Sequence, residues 1–163
     1  MAIPAGWSEL DLGEFSAQLT EMLDSGAMPD DAALAWQWLL GQVEAGQIVA
    51  VVTGPAPGSA ATASIIVFLM DTPTDLRTGA LDAFDAAPAL ADLVVADDQH
   101  VLLPIGDAIL ITAEAKGPFG VPSQSVNYFL LAGRLLWINA AAPLEDSRFQ
   151  GVMETVAEHL AYR

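Results

Sequence analysis

The stretch over residues 125–160 constrains the fold most, because it reads as a strand, a tight turn, a second strand and a long helix. The apolar, β-prone runs are 126–131 and 135–140, and Gly133 between them can adopt the positive φ that a hairpin turn needs. The helix is predicted over 145–162, where large apolar residues recur on one face. The rest of the chain has to supply partners for these apolar surfaces.

Four upstream segments have the apolar spacing or the start and stop residues of helices. The predicted helices span 11–24, 30–45, 74–87 and a short segment at 89–94. In the third of them, the residues expected to point inward are Leu76, Ala80, Leu81 and Phe84. Helices are therefore expected early, in the middle and at the end of the chain.

The remaining β-prone runs are expected to form antiparallel pairs, because Gly- and Pro-containing turns separate them. The runs are 47–53 with 62–70, and 100–103 with 108–113. Both faces of the last hairpin are apolar, so helices should cover both sides of the sheet. The sequence predicts an α+β fold in a single domain over 1–163: an antiparallel sheet of about six strands inside an α/β/α sandwich.

The charge balance is strongly acidic, with 21 Asp and Glu against 5 Lys and Arg and a formal net charge of -16. A surface of this sign repels phosphate backbones and anionic lipids, so neither nucleic acid nor a membrane is an expected partner. The sequence has no cysteine, which excludes disulfides, thiolate metal ligands and a cysteine nucleophile. The first residues have no basic start and no long apolar run, and we expect a cytoplasmic protein without a cofactor.

Several short motifs of the chain form a recognisable set: VLLPIGDA at 101–108, VNYFL at 126–130, LLWI at 135–138, VAEHL at 156–160 and PAGW at 4–7, together with Pro143 and Phe149. This set resembles the PsbP-like fold family, in particular the actinobacterial branch that includes the LpqN-type lipoproteins. The resemblance implies an accessory or binding module with no shared catalytic residues. Secreted members carry a lipobox cysteine that this sequence lacks, and the resemblance therefore implies a cytoplasmic member.

Asp97, Asp98 and His100 form the local cluster of acids and histidine that offers the best starting point for an active site. A divalent metal would need further oxygen or nitrogen ligands, and the spacing of the sequence identifies none. The cluster lies where a helix-rich segment gives way to a strand, so we interpret it as an exposed turn. An enzyme whose carboxylates converge near these residues is the alternative interpretation.

A glycine-containing loop at 117–122 is the predicted contact surface for a ligand or partner. Gly117 and Gly120 permit motion there, and an exposed Phe119 could anchor a partner. The competing interpretation is that Phe119 folds back onto the sheet. Arg134, at the turn of the last hairpin, is the fourth residue predicted to contact a ligand or partner.

The leading hypothesis is a non-catalytic accessory or binding domain that recognises a protein partner or a small ligand. The enzyme near Asp97, Asp98 and His100 is the second hypothesis. A self-assembling structural protein is the third, because the chain is 53% hydrophobic and 16% charged, and a homodimer is compatible with that composition.

Overall fold

The computed structural model describes residues 6–26, 29–55, 62–87, 94–103, 106–116 and 122–143. Within these residues the chain forms three helices and seven strands. In chain order they are β1 (Ser8–Leu10), α1 (Leu12–Asp24), α2 (Asp30–Glu44), β2 (Ile48–Pro55), β3 (Thr62–Met70), α3 (Leu76–Asp85), β4 (Val94–Leu103), β5 (Gly106–Lys116), β6 (Pro122–Leu131) and β7 (Leu135–Pro143).

The strands form one open antiparallel sheet in the order β1-β2-β3-β7-β6-β5-β4, so that β1 and β4 are its edges. The predicted α+β class and antiparallel sheet are confirmed. The strand number differs, because β1 is a seventh strand of only 3 residues. Its pairing with β2 at Leu10 and Val51 is a long-range contact, and so short a segment has no alternating pattern to reveal it.

The predicted hairpin is formed by β6 and β7. Gly133 has a φ of 78° in the turn, and the Ala132 N–H donates to the Arg134 carbonyl oxygen at 2.9 Å. The Thr72 hydroxyl donates to the Gly133 carbonyl oxygen at 2.8 Å. The turn is therefore fixed both by its own backbone and by the segment that follows β3.

One face of the sheet packs against α1, α2 and α3 around a group of aromatic rings. The Trp137 ring stacks on Phe68 and Phe129, with centroid separations of 4.5 and 5.2 Å, and its side chain is 1% exposed. The Trp38 ring of α2 lies over Phe68 and Trp137, with centroid separations of 5.6 and 6.2 Å. Trp137 therefore lies in the interior, between the sheet and α2.

The opposite face of the sheet is also buried. Its buried side chains include Val52, Ile65, Val67, Tyr128, Leu130 and Ile138, and the Trp7 ring packs over Gly54 at its margin. The helix predicted over 145–162 lies outside the described residues. The apolar pattern on both faces of the last hairpin therefore corresponds to a sheet with two buried faces.

Helix α3 is shorter than its predicted span and faces the core differently. Asp75 caps it by accepting the Thr78 backbone N–H at 2.9 Å, and this hydrogen bond lowers the pKa of Asp75. Leu81 was predicted to point inward, but it is 38% exposed, while Ala80, Ala83 and Phe84 are buried. The prediction for Leu81 is wrong because the buried stripe follows the i, i+3, i+4 spacing from Ala80.

Strand β4 also differs from expectation. It begins at Val94, so the end of the short helix predicted over 89–94 is wrong, and the rest of that segment lies outside the described residues. The segment from Asp97 to His100 is a continuous part of β4 and not a turn. Polar residues are tolerated in this strand because it lies at an edge of the sheet, where side chains reach solvent.

Gly79 of α3 gives the first testable prediction. A Cβ added there would overlap the rigid ring of Pro73, whereas one added at the exposed Gly41 of α2 would meet nothing within 4 Å. We expect Gly41→Ala to raise the free energy of unfolding by about 0.5–1 kcal/mol through helix propensity. Gly79→Ala should instead lower it by about 1–3 kcal/mol through overpacking. Urea melts of both variants check this, and equal stabilisation would contradict the Pro73 packing.

Candidate functional site

β4 is the longer of the two edge strands in the described part of the chain, with 10 residues against 3 in β1. Its inner side pairs with β5, in a register that places His100 opposite Ile109 and Leu102 opposite Asp107. No strand of the described part of the chain pairs with its outer side. A register shift between Val95 and Asp97 is followed by regular pairing as far as Leu103. We call the outer side of 97–103 the β4 edge; alternate residues of an edge strand direct their N–H and C=O groups away from the sheet.

Three side chains project from the β4 edge on the face that carries α3, because alternate residues of a strand share a face. Leu102 is 79% exposed, more than any other large hydrophobic residue described. The His100 side chain is 61% exposed, and its Nε2 lies 3.7 Å from the Asp107 Oδ1 on the neighbouring strand. Asp98 pairs with Arg77 of α3, and both side chains reach solvent. The edge is therefore a row of two polar side chains and one apolar side chain in water.

The predicted cluster of Asp97, Asp98 and His100 is brought together only in part. Asp98 and His100 lie on the same face but have separate partners: Asp98 forms an ion pair with Arg77, and the His100 ring lies beside the Asp107 carboxylate. Asp97 is a residue of β4, and its side chain lies outside the described part. Where side chains are described, no group of three or more His, Asp or Glu residues is placed to hold a metal ion. The enzyme hypothesis stays a prediction.

Phe119, Gly117 and Gly120 lie outside the described residues, so their role in binding also stays a prediction. Arg134 is described, and its guanidinium holds the hairpin turn against the end of β3. Its Nε donates to the Met70 carbonyl oxygen at 3.2 Å and its Nη2 donates to the Leu69 carbonyl oxygen at 3.0 Å. The Asp71 carboxylate lies 3.8 Å away. Arg134 thus joins the hairpin turn to β3, and its contact with a ligand or partner stays a prediction.

Asn127 is a buried polar residue that the sequence interpretation did not single out. Its Oδ1 accepts from Trp137 Nε1 at 3.0 Å and from Asn139 Nδ2 at 2.7 Å. Its Nδ2 donates to the Ile111 carbonyl oxygen at 3.2 Å and to the Ser125 Oγ at 3.1 Å. These four bonds use the full capacity of a side-chain amide. Asn127 therefore organises the core, and its signal in the sequence was a lone Asn within the apolar run 126–131.

A shallow groove lies at the opposite edge of the sheet, beside β1. It is lined by Glu9, Leu10, Asp11, Leu12 and Val49. The Asp11 carboxylate accepts the N–H groups of Gly13 and Glu14 at 2.9 and 3.1 Å, which caps α1. The groove is open to solvent, and its Asp11 carboxylate already accepts two hydrogen bonds from α1. It is therefore a weaker candidate for a binding site than the β4 edge.

Comparison with known proteins adds no family to these observations. A scan against protein-family models and a search of the curated proteins both returned no match for this chain. Each helix in the described part of the chain is too short or too polar to span a lipid bilayer.

Proposed function

We propose that this chain is a non-catalytic binding domain that recognises a protein partner, and that the β4 edge is its contact surface. The observation that carries the proposal is the conjunction of an unpaired strand edge, within the described residues, with Leu102 at 79% exposure. Burying a large, exposed apolar side chain against a partner lowers the free energy of the complex. A row of backbone donors and acceptors gives that partner a template for hydrogen bonds.

Charge and composition support a protein partner over other classes. The net charge of -16 opposes binding to nucleic acid and to anionic lipid. The resemblance of the last strands to the PsbP-like family supports an accessory role. We therefore propose that the domain is an accessory protein of the cytoplasm, as the resemblance implies.

A matched pair of variants tests the proposal. Leu102→Gln removes the apolar contact at the β4 edge, and Leu34→Gln changes a leucine that is 58% exposed on α2, which packs near β2. Tagged full-length chains are used to capture partners from cells of the source organism, and bound protein is quantified against the chain. We expect a stoichiometric partner whose binding falls about tenfold with Leu102→Gln, which corresponds to about 1.4 kcal/mol. Leu34→Gln should leave it unchanged.

Two outcomes would contradict the proposal. One is a partner that binds both variants and the unmodified chain equally, because the contact would then lie elsewhere. The other is the recovery of no stoichiometric partner with any of the three chains. Both substitutions are at exposed positions, so thermal unfolding should confirm that neither changes the fold.

A further inference from the structure

We propose that the partner contributes an extended, basic segment that adds to the β4 edge as a further antiparallel or parallel strand. This inference rests on the proposed function and specifies the chemistry of the partner. Strand addition supplies affinity through main-chain hydrogen bonds and specificity through alternate side chains. The inference depends on three properties of the edge: its length, its exposure and its charge.

The length of the β4 edge suits a short peptide strand. Regular pairing with β5 continues from Asp97 to Leu103 after the register shift. At about 3.4 Å per residue, this run extends for roughly 24 Å, which is the length of an ordinary strand. Asp98, His100 and Leu102 are all exposed, so the side chains beside the edge leave space for an added strand.

The charge of the edge selects a basic segment. Asp98 of β4 and Asp107 of β5 lie on the same face as Leu102, and Arg77 is the basic residue that pairs there. The Asp98–Arg77 pair is exposed and contributes little by itself, so a cationic side chain on an added strand would gain from the excess of carboxylates. A second copy of this chain would instead bring another net charge of -16 to the same surface.

The spacing of β4 then fixes a pattern in the partner. Asp98 and Leu102 are four residues apart on one face, and side chains opposite them on an added strand are also four residues apart. The partner segment is therefore expected to carry Lys or Arg beside Asp98 and a large apolar residue beside Leu102. Acidic residues at the first of these positions should be excluded by repulsion.

Synthetic peptides of seven residues test the inference with the full-length chain. The first has Lys and Ile four positions apart with Thr and Val elsewhere, and the second has Glu in place of Lys. Two further copies of the first peptide carry N-methyl groups on one or the other set of alternate amides. Binding is measured by NMR chemical-shift titration at low and high salt.

We expect the Lys peptide to bind at least tenfold more tightly than the Glu peptide, with an affinity that falls as salt rises. One N-methylated copy should lose binding and the other should retain it, because only one set of amides pairs with β4. Leu102→Gln should weaken the Lys peptide about tenfold, and Leu34→Gln should not. Equal binding of the two N-methylated copies, or of the Lys and Glu peptides, would overturn strand addition by a basic segment.

The outcome separates this inference from the function on which it rests. If cells yield a partner that depends on Leu102 while the peptides show no strand signature, the inference fails and the binding function stands. If no partner depends on Leu102, both fail. Sedimentation at rising concentration that reveals a dimer dissociated by Leu102→Gln would identify a second copy as the occupant and would also overturn the inference.

Discussion

Trp137→Ala is expected to lower the free energy of unfolding by about 3–5 kcal/mol, the largest effect of any single substitution considered. The Trp137 side chain is 1% exposed, and it stacks on Phe68 and Phe129 beneath Trp38. Its removal leaves a cavity among rings that belong to two strands and one helix, which cannot all close around it. Equilibrium urea unfolding, followed by the fluorescence of the remaining tryptophans, measures the loss.

Trp36→Ala is the matched control for this prediction. Trp36 is on α2, as Trp38 is, but Trp36 is only partly buried and lies at the periphery of the cluster that contains Trp137. Its truncation should therefore cost clearly less than that of Trp137. An unchanged urea midpoint for Trp137→Ala would place that ring at the surface and would contradict the described packing.

Asn127→Ala is expected to cost about 2–4 kcal/mol, although it removes a polar residue from an apolar interior. The side chain is fully buried, and its loss leaves the Trp137 Nε1–H without its acceptor. The cost of an unsatisfied buried donor adds to the small cavity that the truncation creates. Chemical denaturation of the variant gives the value.

Asn139→Ala supplies the comparison for Asn127. Asn139 is half-buried and donates a single side-chain hydrogen bond, to Asn127 Oδ1, among the bonds that are described. Water can replace this bond at an accessible position, so the loss should stay below about 1 kcal/mol. Equal losses for the two variants would mean that Asn127 is not the centre of the network.

Local patterns predicted the parts of this fold that local physics determines. The hairpin of β6 and β7 follows from two apolar runs around Gly133, whose positive φ the turn requires. Helix α1 follows from apolar spacing after Asp11, which caps it. The core position of Trp137 follows from its place in a strand that is apolar on both faces.

Long-range pairing is what the sequence could not specify. β3 lies beside β7 although the two are distant in the chain, and the contact of Arg77 with Asp98 joins α3 to β4. Neither contact leaves a periodic signal in the residues that make it. The prediction for the candidate site was affected most. The polar segment from Asp97 to His100 has the composition of a turn, and only its place at a sheet edge explains why it forms a strand.

Amide hydrogen exchange along β4 in the unbound, full-length chain tests the central claim most directly. If the outer side of β4 is exposed, alternate amides between Asp97 and Leu103 should exchange rapidly, while the others are protected by pairing with β5. NMR resolves the individual amides. Protection of every amide in this run, at the level of the central strands β3 and β7, would show that the edge is already covered and would contradict the account.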